Sequence, residues 1–225
     1  MWFTASITIL SGTENKERYN MIGIYNYTVI LTYLGFLAGF TGIYFAINNN
    51  PAVAIVCLMV SGCCDMFDGK IARTKKNRTH EEKQYGIEID SLCDVVCFGA
   101  LPVFIGYSLG MRGLLFYPIL LFFPLAALIR LAYFNVKEYD RIKKEDEEAV
   151  FASGLPVTMA ALIFPIVFLF KPFIENIFVY VFAGTMLGVS ILFIAPIRLK
   201  KFTTRTRLIL IPIGFLFIAL MWFLR

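Results

Sequence analysis

The chain has 225 residues, of which 59% are hydrophobic and 16% charged, and its net charge is +5. An ordinary soluble domain is about 45–50% apolar and about 25% charged. The composition therefore excludes a soluble globular enzyme, a disordered chain and a nucleic-acid-binding module. It indicates a polytopic membrane protein, because one bilayer-spanning helix needs roughly 20 mostly apolar residues.

Seven apolar stretches, separated by short polar connectors, predict seven transmembrane helices. The stretches are long and uniformly apolar, which favours helices over the alternating strands of a membrane barrel. We therefore predict an all-α fold, a polytopic membrane helix bundle, with residues 1–20 as a polar cytoplasmic leader and residues 21–225 as one membrane domain. The predicted spans are residues 28–46, 52–67, 92–109, 114–136, 155–170, 174–197 and 208–224.

The basic residues predict the orientation of the bundle, because Lys and Arg are enriched in cytoplasmic loops. The N-terminal segment and the connectors after the second, fourth and sixth spans contain 17 of the 21 Lys and Arg residues. These segments are therefore expected on the cytoplasmic side of an integral multi-pass protein of the cell membrane. The five cysteines all fall in apolar stretches, which indicates packing residues rather than a disulfide scaffold.

Four aspartates lie where two neighbouring spans meet the cytoplasm. Asp65 and Asp68 close the second span, and Asp90 and Asp94 open the third. Spacings of three and four residues place each pair on one helix face. Because a short connector makes the two helices antiparallel, we expect all four carboxylates to converge at one membrane depth.

Clustered carboxylates in a membrane protein indicate a functional site, because placing each one within the membrane costs several kcal/mol of free energy unless it is paired. Hard divalent cations prefer such all-oxygen sites. Two cations about 3.5–4 Å apart form the arrangement used in phosphoryl chemistry. The pattern alone leaves open a proton or cation relay in a transporter, or a cluster of salt bridges at the helix ends.

The sequence around the aspartates contains two motifs. Residues 65–73 read DMFDGKIAR and residues 86–94 read GIEIDSLCD. They are similar to Asp-x-x-Asp-Gly-x-x-Ala-Arg followed by Gly-x-x-x-Asp-x-x-x-Asp, the signature of the CDP-alcohol phosphatidyltransferase family. The connector between the two halves is about four residues longer than is usual in the family, an insertion that loops tolerate. All the defined residues are present: Asp65, Asp68, Gly69, Ala72, Arg73, Gly86, Asp90 and Asp94.

Three further stretches resemble the phosphatidylserine synthase branch of this family: IDSLCDVVCFGALP at 89–102, RLAYFN at 130–135 and GLP at 154–156. The resemblance implies a core of six helices, with the span at 208–224 as an additional helix. It also implies that the protein is a homodimer. It also implies metal-dependent transfer of the phosphatidyl group from CDP-diacylglycerol to the hydroxyl of L-serine, releasing CMP, with two divalent cations, Mg²⁺ or Mn²⁺. Glycerol 3-phosphate, inositol and inositol phosphate remain alternative acceptors.

The resemblance also implies roles for individual residues. It assigns Asp65, Asp68 and Asp90 as metal ligands, and Asp94 as the general base and a further ligand to the second metal. The nucleotide of CDP-diacylglycerol is expected to contact Gly69, Ala72, Arg73, Thr79, Asn26 and Thr28.

Several of these residues have simpler alternative roles. Gly69 can serve close helix packing, Arg73 can reach lipid headgroups, and Asn26 with Thr28 can cap the first helix. Arg130 is the only basic residue inside a predicted span. Its predicted partner is the serine carboxylate, which suits a bidentate guanidinium contact, with a Glu or a lipid phosphate as alternatives.

Overall fold

The computed structural model describes residues 23–75, 77–144, 151–196 and 198–200. The predicted leader at 1–20 and the predicted span at 208–224 lie outside these residues. Helices make up most of the described chain. In chain order the elements are α1 (Tyr27–Ile47), α2 (Pro51–Thr74), α3 (His80–Asp94), a π-helical turn (Val95–Ala100), α4 (Leu101–Ser108), α5 (Tyr117–Lys144), β1 (Phe151–Ser153), α6 (Ala160–Leu169), α7 (Phe178–Ile194) and β2 (Arg198–Lys200).

Within the described ranges, four helical segments are long and apolar enough to cross a membrane: Tyr27–Ile47, Pro51–Thr74, His80–Ser108 and Tyr117–Tyr139. They correspond to the first four predicted spans, although the third ends at Ser108 and the fourth begins only at Tyr117. This confirms the prediction of an all-α membrane bundle.

The fifth and sixth predicted spans correspond to shorter apolar helices, Val157–Phe173 and Phe178–Ile194. A helix of 17 residues extends only about 25 Å at about 1.5 Å per residue. The α6 segment contains Pro165, and 3₁₀ turns flank it on both sides. The 3₁₀ turns confine regular α-helix to Ala160–Leu169, and Pro165 removes one helical hydrogen bond within it.

Helix α1 packs closely against its neighbours through a row of glycines. A Cβ atom at Gly39 would lie 2.5 Å from the Cys97 sulfur, and one at Gly42 would lie 2.9 Å from the Cys57 Cβ. Small residues allow helix backbones in a membrane to approach this closely. All five cysteines are free thiols, and these contacts confirm packing roles for Cys57 and Cys97.

Two elements interrupt the helical pattern. The π-helical turn follows Asp94 directly. At its end, the N–H of Leu101 donates to the Val96 carbonyl oxygen, five residues back. Pro102, the next residue, has no N–H to continue a regular helical ladder. Farther along the chain, β1 pairs antiparallel with β2, with Ser153 opposite Arg198. This ribbon ties the α5–α6 connector to the segment after α7.

Candidate metal and substrate site

The two helices that carry the aspartates extend beyond their predicted spans. Helix α2 continues to Thr74, and α3 already begins at His80. The start of α3 is fixed by a capping box, in which the Glu82 N–H donates to the Thr79 hydroxyl and the Glu82 carboxylate accepts from the Thr79 N–H. The aspartates therefore lie on continuous helices, whose rigid backbones fix the carboxylate positions.

Three of the four predicted carboxylates meet. Asp65, Asp68 and Asp90 each offer an oxygen atom, and these atoms all lie within 4.8 Å of one another. Asp68 is buried and the other two are half-buried. An all-oxygen group of three carboxyl side chains of this size fits Mg²⁺ or Mn²⁺, and the sequence spacing had predicted this convergence.

Asp94 is not a member of that group of three. It lies one helical turn beyond Asp90 on α3, and its side chain is only 8% exposed. It is also the last residue before the π-helical turn. Departures from regular helix of this kind occur frequently at functional sites. The sequence predicted that all four carboxylates would converge. The structure brings three of them into one ligand group, and Asp94 lies outside it.

Helix α1 supplies a residue that the sequence analysis missed. The Thr32 hydroxyl donates a hydrogen bond of 3.1 Å to Oδ2 of Asp68, and both side chains are buried. Thr32 lies one turn after Thr28 on the face of α1 that also carries the glycine row. A second threonine at a spacing of four on that packed face was the signal that could have revealed it.

Gly69 borders open space. A Cβ atom built there would have no described atom within 4 Å, outside its own neighbourhood on the helix. The alternative role of Gly69 in close helix packing therefore has no support in the described part of the chain. Arg73, one turn further along α2, is exposed, and Ala72 is half-buried. This stretch of α2, directly after the carboxylates, can accommodate a ligand.

The start of α1 is joined to the α2–α3 connector through Glu82 of α3. Oε1 of Glu82 accepts from Nδ2 of Asn26 at 3.2 Å and lies 2.5 Å from Nζ of Lys75. Asn26 is also the N-cap of α1, since the Thr28 N–H donates to its Oδ1 at 3.0 Å. The capping role weighed for Asn26 is thereby confirmed, while nucleotide contacts by Asn26, Thr28 and Thr79 stay predictions.

The signature glycine of α3 accommodates an arginine from the longer connector. A Cβ at Gly86 would lie 2.6 Å from Nη2 of Arg78. The same nitrogen donates to the Glu82 carbonyl oxygen at 2.9 Å. The absence of a side chain at Gly86 therefore lets the connector lie directly on α3.

Helix α5 contacts α3, which carries Asp90 and Asp94, through polar side chains. The Ser91 hydroxyl donates to Oδ1 of Asn135 at 2.7 Å, and the Tyr139 hydroxyl donates to Glu88. Ser91 is the residue after Asp90. Asn135 ends the RLAYFN stretch, and the sequence analysis gave it no role, because its partner lies 44 positions away in the sequence.

Arg130, in the middle of α5, lies at the junction where this helix packs against Gly154 of the α5–α6 connector. It is buried, and its guanidinium carbon lies 4.4 Å from the centre of the Phe134 ring. A Cβ at Gly154 would lie 2.6 Å from its Nη1 atom, and Gly154 has a φ of +76°, which favours glycine. The RLAYFN and GLP stretches therefore meet here, while acceptor binding by Arg130 stays a prediction.

The sequence also matches known proteins. The sequence model of the CDP-alcohol phosphatidyltransferase family matches residues 25–195. Three similar proteins carry the name CDP-diacylglycerol–serine O-phosphatidyltransferase. The Saccharomyces cerevisiae protein is 34% identical over 143 residues, which cover 58% of this chain and 50% of that protein. The Mycobacterium bovis protein is 28% identical over 76% of this chain and 59% of its own length. The Bacillus subtilis protein is 27% identical over 79% of this chain and 92% of its own length.

Proposed function

The chain belongs to the CDP-alcohol phosphatidyltransferase family, and from that premise we propose that it is a phosphatidylserine synthase. The proposed reaction transfers the phosphatidyl group from CDP-diacylglycerol to the hydroxyl of L-serine and releases CMP. The match covers about half to three-fifths of the first two relatives' own length. The names of these relatives favour serine as the acceptor.

The carboxylate group of Asp65, Asp68 and Asp90, beside the open face of α2 at Gly69, is the observation that carries the proposal. A transporter would need polar groups along the whole membrane depth to pass an ion. Here, the carboxylates instead form one compact group next to a surface that can accept a nucleotide.

The carboxylate trio would hold two divalent cations, Mg²⁺ or Mn²⁺. When bound, such cations neutralise the pyrophosphate oxygens of CDP-diacylglycerol and stabilise the leaving phosphate. Asp65, Asp68 and Asp90 supply the anionic oxygens, and their placement on two helices keeps the site assembled before substrate arrives.

Asp94 would act as the general base. It accepts the proton of the serine hydroxyl while the serine oxygen forms a bond to the phosphorus that carries the diacylglycerol, and the bond from that phosphorus to the CMP oxygen breaks. CMP leaves with the electron pair of that bond. The position of Asp94, one turn from Asp90 and outside the group of three, suits a carboxylate that faces the acceptor.

The substrates would bind on both sides of this centre. The nucleotide and diphosphate would lie along α2 at Gly69, Ala72 and Arg73, with Asn26, Thr28 and Thr79 at the neighbouring helix starts. Arg130 would bind the serine carboxylate.

The assembly follows the same proposal. The carboxylate end of the bundle would face the cytoplasm, because the basic connectors lie at that end. Residues 1–20 would form the leader, residues 21–225 would form the catalytic membrane domain, and the protein would act as a homodimer.

The experiment that tests this function measures CMP release by the purified full-length chain with CDP-diacylglycerol. Serine, glycerol 3-phosphate and inositol are supplied in parallel reactions, and inositol phosphate in a fourth. We expect serine to support turnover at least about tenfold better than the others, a difference of about 1.4 kcal/mol in barrier height. Turnover with a different acceptor alone would overturn the serine assignment and leave the family membership standing.

A further inference from the structure

Thr32 contacts the proposed metal centre without belonging to the family signature. Its hydroxyl donates to Oδ2 of Asp68 at 3.1 Å across the interface between α1 and α2. Thr32 is 7% exposed and Asp68 8% exposed. Water therefore has little access to replace this donor if it is removed.

A carboxylate on a helix can rotate about its side-chain bonds, so a contact is needed to keep its oxygen directed at Asp65 and Asp90. A hydrogen bond to one oxygen fixes the carboxylate plane, which leaves the other oxygen in a defined direction. Partners that hold metal ligands in this way typically affect metal affinity or activity about 10–100-fold.

The backbone that carries Thr32 is itself held in place. Gly35 and Gly39, on the same side of α1, contact Cys64 and Cys97 so closely that a Cβ atom there would lie 3.0 and 2.5 Å from them. The donor therefore projects from a helix that cannot slide against α2 and the π-helical turn without losing these contacts.

We propose that Thr32 is a positioning residue, which orients the Asp68 carboxylate for divalent-cation binding. The inference rests on the proposed function, since it presumes that Asp68 is a metal ligand. It assigns part of the site's preorganisation to α1, a helix that contributes no carboxylate to the group of three.

The test titrates purified protein with Mn²⁺ alone. Binding is monitored by the loss of the paramagnetic signal of the free ion. Thr32→Val removes the hydroxyl and preserves the branched shape, whereas Thr32→Ser keeps the hydroxyl. Thr41→Val is the matched control, because the Thr41 hydroxyl donates to the Leu37 carbonyl oxygen on the same helix, away from the aspartates. Thr32→Ala provides the same comparison if the valine variant does not fold.

We expect Thr32→Val to weaken Mn²⁺ binding at least about tenfold, with Thr32→Ser and Thr41→Val within about threefold of the parent chain. Equal affinity of Thr32→Val and the parent would overturn the inference, as would a Thr32→Ser variant as weak as Thr32→Val. If the parent chain itself shows no saturable Mn²⁺ binding that Asp65→Asn removes, the proposed metal centre fails and the inference fails with it.

Discussion

The Ser91 hydroxyl on α3 donates a 2.7 Å hydrogen bond to Oδ1 of Asn135 on α5. Ser91 lies between Asp90 and Asp94 on the helix that carries both, so this contact fixes the helix near the reacting groups. A displacement of about 1 Å at a catalytic group can lower the rate about 10²-fold.

Asn135→Ala should therefore lower kcat about tenfold and reduce the free energy of unfolding by ~1 kcal/mol, the usual contribution of such a hydrogen bond. Steady-state kinetics and thermal unfolding in detergent measure the two effects. Asn48→Ala is the control, because the Asn48 amide donates to the Tyr44 carbonyl oxygen at the far end of α1. A loss of stability with kcat unchanged would show that the contact joins the helices without positioning the site.

Asp94→Asn separates chemistry from binding. The amide keeps the shape of the side chain and cannot accept the serine proton, so turnover should fall about 10²–10⁴-fold. CDP-diacylglycerol should still bind, because Asp65, Asp68 and Asp90 are intact. A binding measurement with the nucleotide lipid accompanies the rate assay. More than about a tenth of parental turnover would remove Asp94 from the role of base, since the barrier would have risen by less than roughly 1.4 kcal/mol.

Gly69→Ala tests whether the open space on α2 receives the nucleotide. The added methyl group meets no described atom within 4 Å, and alanine is about 1 kcal/mol more favourable than glycine inside a helix. The variant should therefore unfold at a higher temperature than the parent and have a KM for CDP-diacylglycerol raised about tenfold.

Gly184→Ala on α7 is the matched control for Gly69→Ala, because its Cβ would also meet no described atom within 4 Å. It should gain stability in the same way with no change in KM. An unchanged KM in Gly69→Ala would contradict nucleotide binding along this face.

Arg130→Ala should raise the KM for serine about tenfold and change the KM for CDP-diacylglycerol much less. The reason is the loss of a charge-assisted hydrogen bond to the serine carboxylate, worth about 1.5–3 kcal/mol. Arg112→Ala is the control, since the Arg112 guanidinium stacks on Tyr107 much as Arg130 stacks on Phe134. Equal increases of both KM values, accompanied by a lower unfolding temperature, would indicate a purely structural role at the Gly154 junction.

The carboxylate trio was predictable from the sequence because two local rules combine there. Spacings of three and four residues put each pair of aspartates on one helix face, and a short connector makes the helices antiparallel. Thr32 was not predictable in this way, because its contact with Asp68 depends on how α1 is rotated against α2. That rotation is set by the packing of Gly35, Gly39 and Gly42 against the neighbouring cysteines.

The interruptions of the helices were also missed. The apolar pattern of residues 92–109 does not reveal the π-helical turn, although Pro102 is a local signal that the regular hydrogen-bond ladder is broken. Strands β1 and β2 have three residues each and pair across more than 40 positions. Such short strands have no sequence periodicity that could be recognised.

Asp65, Asp68 and Asp90 are proposed to hold the divalent cations required for transfer. The measurement that tests this role directly is serine-dependent CMP release during a titration of free Mg²⁺ or Mn²⁺. Excess chelator should abolish release by the purified chain, and either cation should restore it. Asp68→Asn should remain inactive at every cation concentration, because one ligand charge is lost from the group. Full CMP release in excess chelator, or parental activity of Asp68→Asn, would contradict metal binding by these three carboxylates.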